Sequence, residues 1–135
     1  MTNIKFTGLI EAQNKGALYS TFMKANGREF VADELKELGP SPADYLCMSL
    51  ASCKAITLRM YVQRKQCKVD TINVKVSLAK EDMQVLVSNV FYCDITVTGN
   101  LDEDQQKRLL EIAKVCPVSR LLSKQNNVVT SILKI

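Results

Sequence analysis

From Gly39 to Lys65 the chain reads GPSPADYLCMSLASCKAITLRMYVQRK. Ser41 followed by Pro42 is a helix start: a serine oxygen caps the first free N–H groups, and proline suits a first turn that needs no donor. From Ala43 to Val62 apolar side chains recur at nearly every angle, leaving almost no polar face before Lys54. A helix that is apolar nearly all round is a buried one. At about 24 residues it runs roughly 36 Å, as long as a small domain is wide. Asp44, Lys54, Arg59 and Arg64 interrupt it too often for a bilayer span. The stretch is therefore predicted to be the spine of a core that a second subunit completes, with Cys53 near its middle.

The whole chain has 135 residues, which sets one domain, 1–135, as the natural count. A hydrophobic fraction of 47% and a charged fraction of 24% are those of an ordinary globular protein. The net charge of +4 is spread along the chain. The basic stripe that nucleic acid requires is missing, so no such partner is expected, and no membrane association either. No charged start followed by an apolar run marks a secretory signal. Five cysteines, at 47, 53, 67, 93 and 116, form no C-x-x-C pair. Their odd number and irregular spacing point to reduced thiols in a cytoplasm rather than to a disulfide scaffold. Histidine is absent altogether. That removes every Cys-His and Ser-His catalytic pair and the usual ligand of zinc and iron sites, which makes thiols the leading candidates for chemistry.

Before the spine, Ile4–Glu11 and Ala17–Lys24 read as strands around a turn at 13–16. Asn26-Gly27 is a stronger turn, returning Arg28–Ala32 as a third strand. After it, Lys68–Ala79 and Val85–Thr98 alternate as half-buried strands, with a turn at 80–83. Asp102 caps a second helix, Glu103–Val115. That helix must stop near Cys116, because the residue before proline is pushed out of the helical region. Pro117–Leu122 reads as one short new helical turn, and Val128–Ile135 as a last strand. The order β-β-β-α-β-β-α-β is an α+β domain, with antiparallel sheet around a long buried helix.

Two motifs in this layout resemble the OsmC/Ohr family, the osmotically induced and organic-hydroperoxide-resistance proteins. One is Gly39-Pro40-Ser41-Pro42-Ala43-Asp44-Tyr45-Leu46 leading into Ala51-Ser52-Cys53. The other is Cys116-Pro117-Val118-Ser119 after an amphipathic helix. The resemblance implies an intertwined homodimer in which the long helices pair centrally and antiparallel sheets wrap the outside. It also implies a thiol-dependent peroxidase for organic hydroperoxides that uses no cofactor or metal. Cys53 would be the peroxidatic thiol and Cys116 the resolving one, with an external dithiol reducing the disulfide between them. In the hydroperoxide-resistance branch an arginine from the N-terminal strands activates the thiolate, held by a glutamate ten positions before the first cysteine. Here that position is Ala43, and the nearest acid is Asp44. For the arginine, the first turn offers only Lys15, and Arg28 lies beyond Asn26-Gly27. The chain therefore looks closer to the broad OsmC-like branch, and a slow reaction that rises with pH is expected.

Read from the residues alone, Cys53 also suits a small core position. Cys116, at the N-cap of a new helical turn, has its sulfur where N–H groups stabilise a thiolate, or merely marks a helix break. Asp44 complements the dipole of its own helix. It lies about 13.5 Å along the axis from Cys53, so it could assist activation only from the partner subunit. Cys47 is about 240° round the helix from Cys53 and reads as packing. Cys67 and Cys93 have no supporting context. Two functions follow, the peroxidase and a redox-silent dimer binding a small apolar ligand. In either case the chain is expected to sediment as a dimer, with an obligate interface burying over about 2,000 Å². A well-folded monomer at micromolar concentration overturns that expectation.

Overall fold

The computed structural model describes residues 8–16, 18–80 and 89–133. It divides into two compact units, Met1–Leu46 and Cys47–Ile135.

In the first unit β1 (Ile10–Gln13), β2 (Thr21–Ala25) and β3 (Arg28–Ala32) form an antiparallel meander in the order β1-β2-β3. Asn26 and Gly27 both take positive φ, 52° and 78°, and Ala25 faces Arg28 across them. That is the two-residue hairpin whose twist suits the flanking strands. The first strand runs on to Gln13, past its expected end at Glu11, and the second is shorter than expected. Residues 4–7 of the expected first strand lie outside the described residues. The second begins only at Thr21, because the Asn14 side-chain amide donates to the Leu18 and Ser20 carbonyls and holds the approach as a loop. After β3 the buried Asp33 carboxylate accepts the Leu35 and Leu38 N–H groups, which answers the cost of burying it. Gly39 passes so close to β3 that a Cβ there would collide with the Val31 carbonyl oxygen.

Helix α1 (Pro42–Arg64) opens with a reciprocal cap. The Ser41 hydroxyl accepts the Asp44 N–H at 3.2 Å, and the Asp44 carboxylate accepts the Ser41 N–H at 3.0 Å. This is the capping-box arrangement with aspartate in the acidic position. Lys36 adds an ion pair to Asp44 at 3.1 Å.

In the second unit β4 (Lys68–Lys80) pairs antiparallel with β5 (Asn89–Asn100), and α2 (Glu103–Lys114) and α3 (Pro117–Leu122) follow. Lys80, expected in the turn, still belongs to β4, while 81–83 of that turn and 85–88 of the expected next strand lie outside the described residues. Ile72 faces Val97, Val74 faces Ile95, Val76 faces Cys93 and Leu78 faces Phe91, which makes one half-buried apolar face. A bulge at Asp70 resets the alternation, so that Val69 and Ile72 both turn to that face. Arg59 fixes the bulge by donating to the Val69 and Asp70 carbonyls at 3.1 and 3.0 Å. The capping box of α2 is complete: Asp102 accepts the Gln105 N–H, and the Gln105 side chain accepts the Asp102 N–H. Leu58 and Val62 of α1 pack with Leu109 and Ala113 of α2 at the centre of the core, against Ile72, Ile95 and Val97.

The chain is α+β with antiparallel sheets, as expected. Helix α1, as its apolar length implied, is not covered all round by one chain: Leu50, Lys54, Leu58 and Val62, at four-residue spacing, are buried, while Met48, Ile56 and Met60 are more than half exposed. One particular differs. The expected last strand is not formed: 125–133 carry no regular structure, and Val128, Val129, Ile132 and Leu133 are nearly fully exposed. Apolar content alone makes no strand where no sheet edge supplies ladder bonds.

Leu58→Ala should cost about 2–5 kcal/mol in urea unfolding, as truncation at a fully buried site leaves a cavity. For Asp44 the sign follows from its cap. The Ser41 backbone N–H first, then Lys36 and the Ser41 hydroxyl, hold its carboxyl below the ordinary value. A depressed carboxyl stabilises the fold above its unfolded pKa, and that stabilisation is lost as pH falls through the folded one. The urea midpoints of wild type and Asp44→Asn should therefore differ at neutral pH and converge on acidification below about pH 4. A gap that widens in acid contradicts the assignment.

Candidate functional site

Helix α2 ends at Val115, and Cys116 is extended, with φ −64° and ψ 153°, as a residue before proline must be. Pro117 then opens α3, whose first turn presents N–H groups without helical partners. One of them, the Val118 N–H, donates to the Sγ of Cys53 at 3.5 Å. Cys53 reaches it from the middle of α1. The Cys116 side chain, although at the N-cap, accepts no capping bond. The sequence placed Cys116 correctly at this helix start, but the sulfur that collects the N–H belongs to Cys53.

Accessibility differs between the two thiols in a way the sequence did not indicate. Cys116 is completely buried, at 0% exposure, whereas Cys53 is half-buried. Cys53, for which a small core position was the competing reading, is the more accessible of the two, because its face of α1 lies off the stripe through Leu50 and Leu58. Asp44 is engaged in the cap of its own helix and in the Lys36 ion pair. Lys15 and Arg28, the cations considered from the sequence, belong to the N-terminal unit.

One group was missed. Lys54 occupies a core position of the buried stripe at 5% exposure, and its Nζ donates to the Ala113 carbonyl at 2.6 Å. Ala113 is in the last turn of α2, where carbonyls lack helical partners and the dipole is negative, so a cation is favoured there. Its spacing, four residues from both Leu50 and Leu58, was the available signal. In the sequence it looked like an interruption of the apolar run.

Cys93 lies on the apolar face of β5 opposite Val76. Burial pushes its thiol above the ordinary value; the Lys54 charge opposes that rise, while Cys116, Asp94 and Cys47 add to it. Cys67, by contrast, packs at the edge of the core with the Gln105 amide 3.8 Å from its sulfur. Among the described residues no three cysteine or carboxylate side chains converge closely enough to hold a metal ion. No helix there is long and apolar enough to cross a membrane.

Comparison with known proteins bears on the family and the fold. The profile of the OsmC-like protein family matches residues 34–131, which include α1, both strands of the second sheet, α2 and α3. No functionally curated protein matches the chain. Among solved structures, an OsmC-like protein from Mycoplasma pneumoniae is similar at 16% identity with a TM-score of 0.75, over 88% of this chain and 89% of that one. The organic hydroperoxide resistance protein OhrB of Bacillus subtilis is similar at 19% identity with a TM-score of 0.59, over 87% of this chain and 91% of that one. An organic hydroperoxide resistance protein from Legionella pneumophila is similar at 14% identity with a TM-score of 0.62, over 90% and 92%. The fold is shared with all three, and the chain belongs to the OsmC-like protein family.

Proposed function

We propose that the protein is a thiol-dependent peroxidase for organic hydroperoxides, with Cys53 as the peroxidatic and Cys116 as the resolving cysteine. The observation that carries this reading is the Val118 N–H on the Cys53 sulfur, because it joins the middle of α1 to the segment that begins at Cys116. The same bond sets the Cys53 sulfur at the first turn of α3, beside a backbone donor that has no helical partner. The partial exposure of Cys53 suits the thiol that meets substrate, and the burial of Cys116 suits one that meets only a neighbouring sulfur. Two proteins that share the fold are named for organic hydroperoxide resistance, which accords with this reading.

In the first step the Cys53 thiolate attacks the distal oxygen of ROOH. The O–O bond breaks, the alkoxide leaves and takes up a proton as alcohol, and Cys53 becomes a sulfenic acid. The Cys116 thiolate then attacks that sulfur. The S–O bond breaks, hydroxide leaves and is protonated to water, and a disulfide closes. An external dithiol restores both thiols and is itself oxidised to a disulfide. Every electron comes from sulfur, so the cycle needs no cofactor or metal. The protein acts as a homodimer in the cytoplasm on this reading: the exposed Met48, Ile56 and Met60 of α1 ask for a second wall, and five free cysteines suit a reducing compartment.

The second reading, a redox-silent dimer binding a small apolar ligand, draws on an open apolar groove that includes Met60, Tyr61, Ile112, Val115 and Pro117. Cumene hydroperoxide consumption with dithiothreitol as reductant separates the two. The peroxidase reading expects turnover that Cys53→Ser reduces to background, and a Cys53 sulfenic acid that accumulates in Cys116→Ser and is trapped by dimedone. Absence of turnover and of any Cys53 oxidation in the wild type leaves the ligand-binding reading.

A further inference from the structure

Proline at 117 leaves two backbone groups of the α2–α3 joint without partners inside their own helices. The Ala113 carbonyl sits in the last turn of α2. The residue four positions on, which would donate to it in a continuing helix, is Pro117 and has no N–H. The Val118 N–H sits in the first turn of α3, where no preceding turn supplies an acceptor. Consecutive residues of α1 answer both. Lys54 Nζ donates to the Ala113 oxygen at 2.6 Å, a short bond from a charged donor, and the Cys53 sulfur accepts the Val118 N–H at 3.5 Å. Lys54 is buried, so water does not compete for the carbonyl. Cys116 lies in the chain between the two gripped positions and is fully buried. Its own side chain makes no capping bond, so its place is set by packing and by the backbone on either side.

We propose that Lys54 is a positioning residue for disulfide closure: through the Ala113 carbonyl it clamps the end of α2 to α1 and holds Cys116 within reach of Cys53. The Val118 contact is made by a reacting sulfur, whereas the Lys54 bond involves no reacting atom and stays in place while the sulfur chemistry proceeds. Closure within one chain depends on the effective concentration of one thiol at the other, which a displacement of an ångström lowers steeply. An apolar side chain at 54 would fill the space but leave a buried carbonyl unpaired, and the joint would shift to find another donor. In its kinetic consequence the inference rests on the peroxidase reading; the clamp itself does not.

Three measurements test the clamp, and two of them need no peroxide. In the wild type the Val118 amide should be protected from hydrogen exchange together with the Val115 amide, which bonds to the Ile112 carbonyl at the end of α2. Exchange of Val118 at the rate of an unstructured chain overturns the proposal. The second measurement equilibrates the protein with glutathione redox buffers and maps the Cys53–Cys116 disulfide by mass. The effective concentration of the pair should fall about tenfold in Lys54→Met. It should be unchanged in Val62→Ala, which loosens the same buried stripe two turns on without touching the clamp. An unchanged value in Lys54→Met, an equal fall in Val62→Ala, or no Cys53–Cys116 disulfide in the wild type overturns the proposal. Should Lys54→Met fail to fold by circular dichroism, Lys54→Gln, whose amide ends one bond short, takes its place, and the wild-type exchange still decides. The third measurement is the partition of the Cys53 sulfenic acid between disulfide and dimedone adduct, a ratio independent of how fast the first step runs. Lys54→Met should shift it about tenfold toward the adduct. An unshifted ratio overturns the role of Lys54 in closure. A wild-type Cys53 that never forms a sulfenic acid overturns the peroxidase reading instead, and leaves the glutathione and exchange measurements to decide on Lys54.

Discussion

A 23-residue helix with apolar side chains on nearly every face needs cover on more sides than one chain of this length provides, and the rest of the structure follows from that constraint. Leu58 and Val62 are sealed by α2 and by the inner face of β4 and β5. The stripe through Leu50, Lys54, Leu58 and Val62 is the only one fully buried. Met48, Ile56 and Met60 remain open. Exposed apolar surface of this kind on a single long helix is the mark of an association surface, which is why the functional reading is a dimeric one.

The same constraint sets the electrostatics of the candidate site. A lysine in a buried stripe is rare unless its charge is answered. At Lys54 the answer in hand is the negative end of α2 through the Ala113 carbonyl. Because α2 must stop before Pro117, its free carbonyls, the extended Cys116 and the free N–H groups of α3 all fall within a few residues. A helix C-terminus that attracts a cation is thus followed at once by a helix N-terminus that attracts an anion. Of the adjacent Cys53 and Lys54 on α1, Lys54 donates to the first and the Cys53 sulfur accepts an N–H from the second.

Much of this was legible in the chain itself. Ser41-Pro42 and Asp102 located two helix starts, Asn26-Gly27 a hairpin, and Pro117 the break after Cys116, because each acts through local backbone chemistry that needs no partner. The alternation in β4 and β5 was legible for the same reason, up to the bulge at Asp70. That bulge depends on an arginine from another element and on no residue inside the strand. The paired cysteine motifs pointed to the family, and the match over residues 34–131 bears that out.

Three-dimensional packing decided the rest. Which thiol is enclosed and which is accessible depends on the angle at which α1 meets its neighbours, so Cys116 rather than Cys53 is the sealed one. The partner of the Cys53 sulfur, an N–H from a helix that begins 64 residues later, is a long-range contact with no local signature. Lys54 looked like an interruption of an apolar run, and only the proximity of the α2 terminus makes it a core residue. The segment at 128–133 had strand-like composition and took no strand, since a strand is made by pairing and pairing needs an edge. Sequence determined what each segment favours on its own; the tertiary structure determined which charges, sulfurs and backbone donors meet, because those encounters depend on distances between segments far apart in the chain.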